Sequence, residues 1–579
     1  MAGLVYATGY TYSGIEFHRK RQWRFRCRTN GLPSRPERVS GNSIDTGDMP
    51  DRLLPALGTR VRPGNGVAAP VPGLRSIRPA VGTRRLALVT IGLSLACYPQ
   101  TDRTWSYVPP LGLGYLSAYV KKYAGGADFV VERRPEDLIP HQPDFVGLTF
   151  VTFNYSYAAR EAQKIKDALG CPVICGGPHV STMPTHLYPV FDVAILGEGE
   201  ETFADLVRLW KERKAFRPAD LRNIPGLLFH NEEGQLERSP KREPLSDLDA
   251  IPYPDRRLIH EKWSCHGGMV NLMTSRGCPY DCSFCSTIHH WGRGFRYPSN
   301  DYVVKEIELI REEYNPPEIL IFDDLFIVNK KRVVELCRMI RERGLHEGVE
   351  FRCFVRANLL DDEVVEALAS INNHVLNIGF ESGSTDILHR LRKRGCTARE
   401  NEEALRLGRK HGVQYSSCFI LGTPGETRQD ILSNFDFVLS NTDVFDNVSF
   451  APLQILPATE VWGWAKEKKG IDENHLRGIV LEPEDFEDED RFLMTTWPYL
   501  NEETIPREEF YVYYRIGKQL EKTIDELTRL RKQARKSEAV PTLRFISENV
   551  PLKSIVKEKA RRRLRSLLPT EPSLLHGKP

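Results

Sequence analysis

The 579-residue chain is too long to fold around one hydrophobic core, and its 41% hydrophobic and 27% charged residues are ordinary for a globular protein. A formal net charge of +3 gives no general reason to expect nucleic acid or an anionic membrane as a partner. No apolar run reaches the roughly 20 residues that a membrane-spanning helix needs, and 12 cysteines are too sparse for a disulfide framework, so we expect a cytoplasmic protein with reduced thiols.

The first 84 residues are rich in Arg, Gly and Pro and show no sustained hydrophobic period. Such a composition buries too little apolar surface to fold by itself, so residues 1–84 are predicted to be a disordered or low-order extension. A basic arm that binds nucleic acid is the less favoured alternative. The apolar stretch 86–97 resembles a short signal sequence, but its distance from the N-terminus favours a buried strand.

Short apolar strands alternate with amphipathic helices between residues 85 and 212. RLALVTIGL is a predicted strand, and LGLGYLSAYVKKY after it has apolar residues at helical spacing. This alternation predicts an α/β fold in which a doubly wound, Rossmann-like parallel sheet binds its ligand at the carboxyl ends of the strands. Two glycine-bearing loops, 176–179 and 197–200, are expected to lie at that edge.

A second alternation follows a connector. Residues 213–268 are predicted to be this connector, with a small hairpin and an extended, proline-marked crossing. Residues 269–465 contain six strand–helix units, which predict a partial (β/α)6 barrel with its site at the carboxyl ends of the strands. Residues 466–579 are mostly charged and are predicted to form a helical C-terminal region that ends in a basic tail.

Three cysteines, Cys278, Cys282 and Cys285, are spaced C-x3-C-x2-C directly after the first strand of the predicted barrel. A structural zinc site takes four ligands, commonly from two separated cysteine pairs, and no second pair lies nearby in the sequence. A [4Fe–4S] cluster held by three thiolates instead leaves one iron open to an exogenous ligand. The spacing therefore favours a cluster over zinc.

This spacing, with the aromatic Phe284 before the third cysteine, resembles the signature of the radical S-adenosylmethionine (SAM) enzymes. The stretches IFDD, VRAN, GFESGS and FILGTPGET end later predicted strands and strengthen the resemblance. In that family the open iron chelates SAM, and one electron from the cluster cleaves the sulfonium to a 5′-deoxyadenosyl radical. The resemblance implies that the three cysteines are metal ligands and catalytic residues.

The resemblance also implies contacts with SAM at the strand ends. Phe284 would flank the adenine, and Asp323 or Asp324 would meet the methionine amino group. Glu381 would lie near a ribose hydroxyl. An aspartate at such a position is also suited to capping a helix, and Glu381 to an ordinary ion pair. The remaining implied SAM contacts are Arg356, Gly422 and Pro424.

The first domain lacks a G-x-G-x-x-G after its first strand, which disfavours a dinucleotide ligand. VPPLGLGYLSAYV, CGGPHVSTMPTHLY and DVAILGEGEETF instead resemble the cobalamin-binding domain of the B12-dependent radical SAM class, and the resemblance extends over residues 86–465. Many other B12 proteins supply an axial histidine to cobalt from a D-x-H-x-x-G motif, and no D-x-H occurs in this sequence. The domain has therefore either lost B12 or, as we favour, holds the corrinoid without a protein histidine on cobalt. The resemblance implies cobalamin contacts by Leu111, Gly112, Tyr115, Thr152, Asn154, Tyr155, Gly176, Gly177, Pro178, His179, Gly197 and Glu198. For His179, a loop histidine that is hydrogen-bonded to the backbone is an equally good interpretation.

Members of this class use both cofactors to methylate unactivated carbon atoms. The resemblance therefore implies a C-methyltransferase that uses a [4Fe–4S] cluster, SAM and cobalamin on a small-molecule or lipid substrate. An electron donor such as flavodoxin or ferredoxin is implied as a partner. The chain also resembles the anaerobic magnesium-protoporphyrin monomethyl ester cyclase, so an oxidative cyclase or rearrangement enzyme is the alternative, and a corrinoid or cluster sensor without turnover is a third.

Overall fold

The computed structural model describes residues 89–96, 109–260, 268–477 and 498–536. The predicted extension 1–84 and the predicted basic tail lie outside the described residues. None of the helices in the described part combines the length and apolarity that crossing a bilayer requires. Nearly all of both predicted strand–helix alternations falls within these ranges.

The first domain is built on seven strands, and β1 to β7 span Val89–Leu95, Ala127–Glu132, Phe145–Thr149, Val173–Gly176, Val193–Ile195, Leu227–His230 and Leu236–Arg238. Their order in the sheet is β2-β1-β3-β4-β5-β6-β7. The first five run parallel, and the hairpin of β6 and β7 adds two antiparallel strands at one edge. Strands β1 and β3 are buried along most of their length, as expected for strands covered on both faces.

Helices cover both faces of this sheet, and α1 to α6 span Leu111–Tyr123, Tyr155–Leu169, Pro178–Thr182, Glu200–Arg213, Pro218–Leu221 and Arg256–His260. On one face, Phe203 and Trp210 of α4 contact Phe145 edge to face, with ring centroids 6.2 and 5.6 Å apart. On the other face, Ala162 and Ile165 of α2 lie in a separate buried core. The predicted doubly wound sheet is confirmed.

The second domain contains the parallel strands β8 to β14, which span Val270–Leu272, Glu318–Ile321, Glu350–Arg352, Phe354–Val355, Val375–Glu381, Gln414–Leu421 and Phe445–Pro452. They pair in the orders β10-β9-β8 and β11-β12-β13-β14. Only Cys353 separates β10 from β11, so these two segments are one strand with an interruption. Six parallel strand positions alternate with helices, which confirms the predicted partial (β/α)6 barrel.

The barrel helices follow their strands in chain order, and α7 to α15 span Thr287–Trp291, Asn300–Glu313, Lys330–Glu342, Asp362–Ala369, Thr385–Arg390, Ala398–His411, Arg428–Ser440, Glu460–Lys469 and Glu473–Arg477. Helix α13 shows how the sequence sets a helix start. The Thr427 amide donates to Asp430 Oδ2 at 2.9 Å, and the Asp430 amide donates back to Thr427 Oγ1 at 3.3 Å. This capping box begins the helix directly after the loop that ends β13.

The C-terminal helix α16, Arg507–Lys536, packs along the last barrel strand, β14. Glu521 Oε1 accepts a hydrogen bond from the Phe450 amide at 2.5 Å, and the Asn447 side chain donates to Asp525 Oδ1 at 2.7 Å. The helix thereby provides hydrogen-bond partners for an edge strand and covers it, so that the edge is not open. The predicted helical C-terminal region is confirmed for this part of the chain.

One hydrophobic core contains residues of both domains. Phe150 and Val180 come from the first domain, Ile420 and Trp462 come from the barrel, and Phe284 comes from the cysteine loop. These first-domain and barrel residues lie at or near the carboxyl ends of their strands or in the helices that follow. The two predicted sites therefore face a common core.

Ala458, between β14 and α14, adopts the left-handed conformation with φ +65°. A Cβ in this region costs roughly 1–2 kcal/mol, so Ala458→Gly is expected to raise the free energy of unfolding by about 1 kcal/mol, measured by denaturant titration. Ala465→Gly, inside α14, is the matched control and should lower that energy by about 1 kcal/mol or more. Destabilisation by Ala458→Gly would contradict the prediction.

Candidate active site

The three cysteines lie in the loop that joins β8 to α7, and all three side chains are partly buried. The loop turns at Gly277, which adopts φ +89°. An added Cβ on Gly277 would meet the carbonyl oxygen of Gly294. The turn directly before Cys278 therefore requires glycine.

Burial controls the ionisation of these thiols. It raises the pKa of Cys278 to about 12 and that of Cys285 to about 11, and neighbouring thiols act in the same direction. Within the described residues, no three His, Cys, Asp or Glu side chains are drawn together as a set that could hold a metal ion. Thiolates are the metal-binding form, so three ionised sulfurs in this loop would need positive charge between them, as an iron–sulfur cluster provides.

Arg356, which follows β11, brings a positive charge to the cysteine loop. Its Nη1 lies 3.4 Å from Cys282 Sγ, and its guanidinium carbon lies 3.9 Å from the centroid of the Tyr280 ring. Nε donates to Asn358 Oδ1 at 2.9 Å, and Nη2 donates to the Arg394 carbonyl oxygen at 2.7 Å. The structure thus places this predicted SAM contact beside a cysteine, with every nitrogen engaged.

The two aspartates that follow β9 have different surroundings. Asp323 accepts three hydrogen bonds of 2.6 Å, from the Thr274 amide, the Thr274 hydroxyl and the Ser275 hydroxyl, and burial raises its pKa. Asp324 Oδ1 accepts from the Thr287 hydroxyl at 3.1 Å. Asp323 therefore ties the end of β9 to the end of β8, whereas Asp324 lies toward the cysteine loop.

Glu381, at the end of β12, has a strained backbone with φ +63°. Lys393 Nζ donates to its Oε1 at 2.6 Å, and the two side chains are 6% and 4% exposed, respectively. Glu381 Oε2 is buried and has no hydrogen-bond partner among the described residues. The carboxylate is thus held by one oxygen and has the other available to accept a hydrogen bond from a ligand.

The loop after β13 carries Gly422 and Pro424. Gly422 adopts φ +83°, and its amide donates to Glu426 Oε2 at 2.5 Å. The C-terminal region holds the same loop, because the Gly425 amide donates to Asn501 Oδ1 at 2.7 Å and Asn501 Nδ2 donates to the Glu426 carbonyl oxygen at 2.8 Å. The glycine turn is therefore supported by residues that the sequence motifs do not single out.

Burial raises the pKa of Glu426 from 4.5 to about 8. Between these values the folded state keeps a proton that the unfolded state releases, so this carboxyl lowers the free energy of unfolding as pH rises, with a slope approaching about 1.4 kcal/mol per pH unit. Glu426→Gln is expected to remove this fall, so its stability relative to the wild type should grow from pH 5 to pH 8. Denaturant titrations across this range measure the difference.

Glu363→Gln, at an exposed carboxylate of α10, is the control and should leave the pH profile of stability unchanged. A constant stability difference between Glu426→Gln and the wild type across the range would show that Glu426 is ionised in the folded protein.

Phe284 is 5% exposed and lies in the core that both domains share. Cys282 and Cys285 pack against the same core. Phe284, the predicted adenine neighbour, thus lies within the cysteine loop and contributes to packing between the domains.

Nine of the predicted cobalamin contacts meet at the carboxyl edge of the first sheet. The Gly197 amide donates to Ser181 Oγ at 2.9 Å, which joins the loop after β5 to α3, the helix after β4. An added Cβ on Gly177 would meet Thr149 at the end of β3. The group consists of Thr152, Asn154, Tyr155, Gly176, Gly177, Pro178, His179, Gly197 and Glu198.

The other three predicted contacts, Leu111, Gly112 and Tyr115, lie on α1. Leu111 and Tyr115 are buried in the core on the opposite face of the sheet, whereas Gly112 is exposed. Tyr115 nevertheless approaches the loop after β5, because the guanidinium of Arg276, which pairs with Glu198, lies 5.7 Å from the centroid of the Tyr115 ring.

His179 is fully buried in α3, the short helix that follows β4. Its ring centroid lies 4.1 Å from that of Tyr155 and 6.0 Å from that of Phe150, and its Nδ1 lies 3.2 Å from Thr152 Oγ1. Burial lowers its pKa to about 3, and Nε2 has no hydrogen-bond partner among the described residues. His179 is therefore a neutral imidazole with one unpaired nitrogen.

Glu198 pairs with residues of the other domain. It accepts from Arg276 Nη1 at 2.9 Å and also pairs with Arg296. Helix α3, which follows the glycine loop of the first domain, packs against α7, which follows the cysteine loop. The two predicted cofactor loops are thus neighbours.

Comparison with known families agrees with this arrangement. Residues 104–207 match the B12 binding domain, and residues 272–438 match the radical SAM superfamily. The structure resembles that of the cobalamin-dependent SAM radical enzyme OxsB with aqua-cobalamin bound, with a TM-score of 0.58, 20% identity and coverage of 84% of this chain and 74% of OxsB. It also resembles TsrM from Kitasatospora setae with cobalamin and a [4Fe–4S] cluster bound, with a TM-score of 0.55, 18% identity and coverage of 66% and 76%.

Two related sequences each match more than half of the chain. The chain is 31% identical over 376 residues to an uncharacterized methyltransferase from Pyrococcus horikoshii, which covers 62% of this chain and 78% of the relative. It is 27% identical over 389 residues to the anaerobic magnesium-protoporphyrin IX monomethyl ester cyclase from Cereibacter sphaeroides, which covers 62% of each chain. The chain therefore belongs to the B12-binding radical SAM family, whose cofactors are a [4Fe–4S] cluster, SAM and cobalamin.

Proposed function

We propose that the chain transfers a methyl group to an unactivated carbon of a small-molecule substrate. The observation that carries this proposal is the contact between α3 and α7, which makes the glycine loop 176–179 a neighbour of the cysteine loop 278–285. Cofactors held by these loops would reach one substrate from two sides. Relatives named as methyltransferases, including those from Pyrococcus horikoshii and Chlorobaculum tepidum, support the same reaction.

The chemistry resides in the cofactors: when bound, the cluster supplies the electron that cleaves SAM, and cobalamin supplies the methyl group. The protein binds, orients and shields them. Cys278, Cys282 and Cys285 would hold the cluster as thiolates. The Arg356 guanidinium beside Cys282 would stabilise the negative charge of that sulfur.

SAM would lie across the carboxyl ends of the barrel strands. We assign its amino group to Asp324 rather than Asp323, because three hydrogen bonds already engage Asp323. Glu381 would accept a ribose hydroxyl through its unpaired Oε2. The turn at Gly422 and Pro424 would let the backbone approach the adenine closely.

Cobalamin would lie at the carboxyl edge of the first sheet, within the predicted domain 85–212. Gly176, Gly177 and Gly197 would allow the backbone to approach the bulky ring. The neutral His179 would add an apolar imidazole face to this edge. The barrel domain 269–465 would supply the opposite wall of the pocket, with the connector 213–268 between them.

The finer features of the substrate and partners follow from the reaction. Two kinds of substrate would suit a site between two domains that share an apolar core. One is a lipid, and the other is a small polar molecule that presents an apolar carbon to the cofactors. Cleavage of SAM consumes an electron, so an electron donor such as flavodoxin or ferredoxin is part of the proposal. A cytoplasmic location would keep the thiols reduced.

The test uses anaerobically reconstituted protein with cobalamin, a strong reductant and SAM that carries an isotopic label in its methyl group. Release of 5′-deoxyadenosine and appearance of the label in a small molecule from a metabolite extract are expected. A product that contains labelled oxygen from water, without the methyl label, would instead support a cyclase. Failure to release 5′-deoxyadenosine would support a sensor and contradict the proposal.

A further inference from the structure

Arg276 lies two residues before the first cysteine and is 6% exposed. Its Nη1 donates to Glu198 Oε2 at 2.9 Å, and its Nη2 donates to Glu200 Oε1 at 2.5 Å. Glu198 lies in the loop between β5 and α4 of the first domain, and Glu200 is the first residue of α4. One guanidinium therefore bridges the segment that leads into the cysteine loop and a loop assigned to cobalamin.

Two aromatic rings flank this guanidinium. Its central carbon lies 5.7 Å from the ring centroid of Tyr115 on α1 and 5.4 Å from that of Trp291 on α7. Burial opposes the charged form of Arg276, but Glu200 and Glu198 hold its pKa above the ordinary value. The side chain is therefore charged, oriented and enclosed by both domains.

Arg296 closes the arrangement. It pairs with Glu198, and the backbones of Arg276 and Arg296 exchange two hydrogen bonds of 2.8 and 3.1 Å. Two arginines thus balance two glutamates at the domain boundary. We call these four residues, Arg276, Arg296, Glu198 and Glu200, the Arg276 network.

The Arg276 network joins directly to both cofactor loops. Only Gly277, in its tight turn, separates Arg276 from Cys278. In the first domain, Gly197 directly precedes Glu198, and its amide donates a hydrogen bond to Ser181 of α3, the helix that follows the glycines 176 and 177. A shift of the guanidinium would therefore be transmitted to the cysteine loop on one side and to the glycine loops on the other.

We propose that Arg276 is a positioning residue that sets the distance and orientation between cobalamin and the cluster-bound SAM. The inference rests on the proposed function, because it assigns the two cofactors to these loops. The planar fork of arginine, which reaches two carboxylates and stacks on rings, suits this role, whereas lysine has a single compact charge. Each domain would still bind its own cofactor without this contact.

One reaction requires the two cofactors to meet and needs no substrate. Once the added strong reductant had reduced it, bound cobalamin would accept the methyl group of SAM, and S-adenosylhomocysteine would be released. Release of 5′-deoxyadenosine, in contrast, needs only the barrel. The ratio of these two products therefore reports the relative position of the domains.

The test variant is Arg276→Met with Glu200→Gln, which removes one charge of each sign and leaves the pair of Glu198 and Arg296 intact. Its matched control is Arg256→Met with Glu306→Gln, at another buried arginine–glutamate pair with side chains 7% and 1% exposed, compared with 7% and 8% for Arg276 and Glu200. Arg276→Lys is a second test variant, which keeps the charge.

Both test variants are expected to retain cobalamin binding and 5′-deoxyadenosine release within about twofold. Their rate of S-adenosylhomocysteine formation should fall at least about tenfold, because a displacement of about 1 Å between reacting groups can lower a rate by about 100-fold. Pulsed dipolar electron paramagnetic resonance between cob(II)alamin and the reduced cluster should show one narrow distance distribution in the wild type and in the Arg256/Glu306 control. The distribution should be broadened in the Arg276 variants.

An unchanged product ratio and an unchanged distance distribution in both Arg276 variants would overturn the inference, as would an equal loss in the Arg256/Glu306 control. If the wild type forms no S-adenosylhomocysteine, the proposed function fails, whereas the distance measurement still decides the role of Arg276.

Discussion

Alanine in place of Cys278, Cys282 or Cys285 is expected to abolish the release of 5′-deoxyadenosine from SAM. In the proposed site, each thiolate is one of three protein ligands of the cluster, with glycine required at the turn before Cys278 and Arg356 beside Cys282. Loss of one ligand leaves a second iron open and the cluster unstable. Product analysis, iron content and the visible absorption of the reconstituted protein measure the effect.

Cys337→Ala is the matched control, because Cys337 is a buried thiol of α9 outside the loop. The Cys337→Ala variant should retain the cluster and the activity, and it should lose only the packing contacts of one buried sulfur atom. All variants should still bind cobalamin, since the first sheet does not depend on the cysteine loop for its strands. A single cysteine variant that retains full iron content and 5′-deoxyadenosine release would contradict the assignment, as would wild-type protein that binds zinc in place of iron.

Secondary structure was predictable wherever local signals agree. The stretch LGLGYLSAYVKKY forms α1 with the same bounds, because its apolar residues recur at helical spacing. Helix α12 begins after Thr397 and ends at Gly412, since a capping box and a left-handed glycine mark its two ends. Strand β2 was not predicted, because ADFVVE is short and is separated from α1 by only three residues, two of them glycines.

The hairpin of β6 and β7 shows a different limit. Its strands are recognisable in the sequence, but their partner is not. β6 pairs with β5 and β7 pairs with β6, so the first sheet extends into the segment that the sequence assigns to the connector. Strand pairing between distant segments depends on packing that no local pattern encodes.

The candidate site divides in the same way. The cysteines and the residues at the strand ends were predictable, because parallel strands bring their carboxyl ends to one edge. The contacts of Arg276 with Glu200 and of Asn501 with Glu426 were not, since they join residues 76 and 75 positions apart in the chain. The choice between Asp323 and Asp324 also required the structure, because adjacent residues of one type differ only in their neighbours.

Lys393→Met is expected to lower the free energy of unfolding by about 3–5 kcal/mol, because it leaves Glu381 as a buried carboxylate without its partner. Glu381→Gln should lower the free energy of unfolding by a similar amount, since it leaves the Lys393 ammonium without its carboxylate partner. The double variant removes both charges and should recover most of the lost stability. Denaturant titration of the three proteins measures these differences.

Binding of SAM separates the structural role of this pair from its role toward the ligand. The strained backbone and unpaired Oε2 of Glu381 indicate a carboxylate held for a ligand hydroxyl. Because a hydrogen bond to a charged group contributes about 1.5–3 kcal/mol, the double variant of Lys393 and Glu381 is expected to bind SAM about 10- to 100-fold more weakly despite its restored stability. Equilibrium binding to the anaerobic holoprotein measures this loss. If the double variant bound SAM with wild-type affinity, Glu381 would have only a structural role, as half of an ion pair that supports the end of β12.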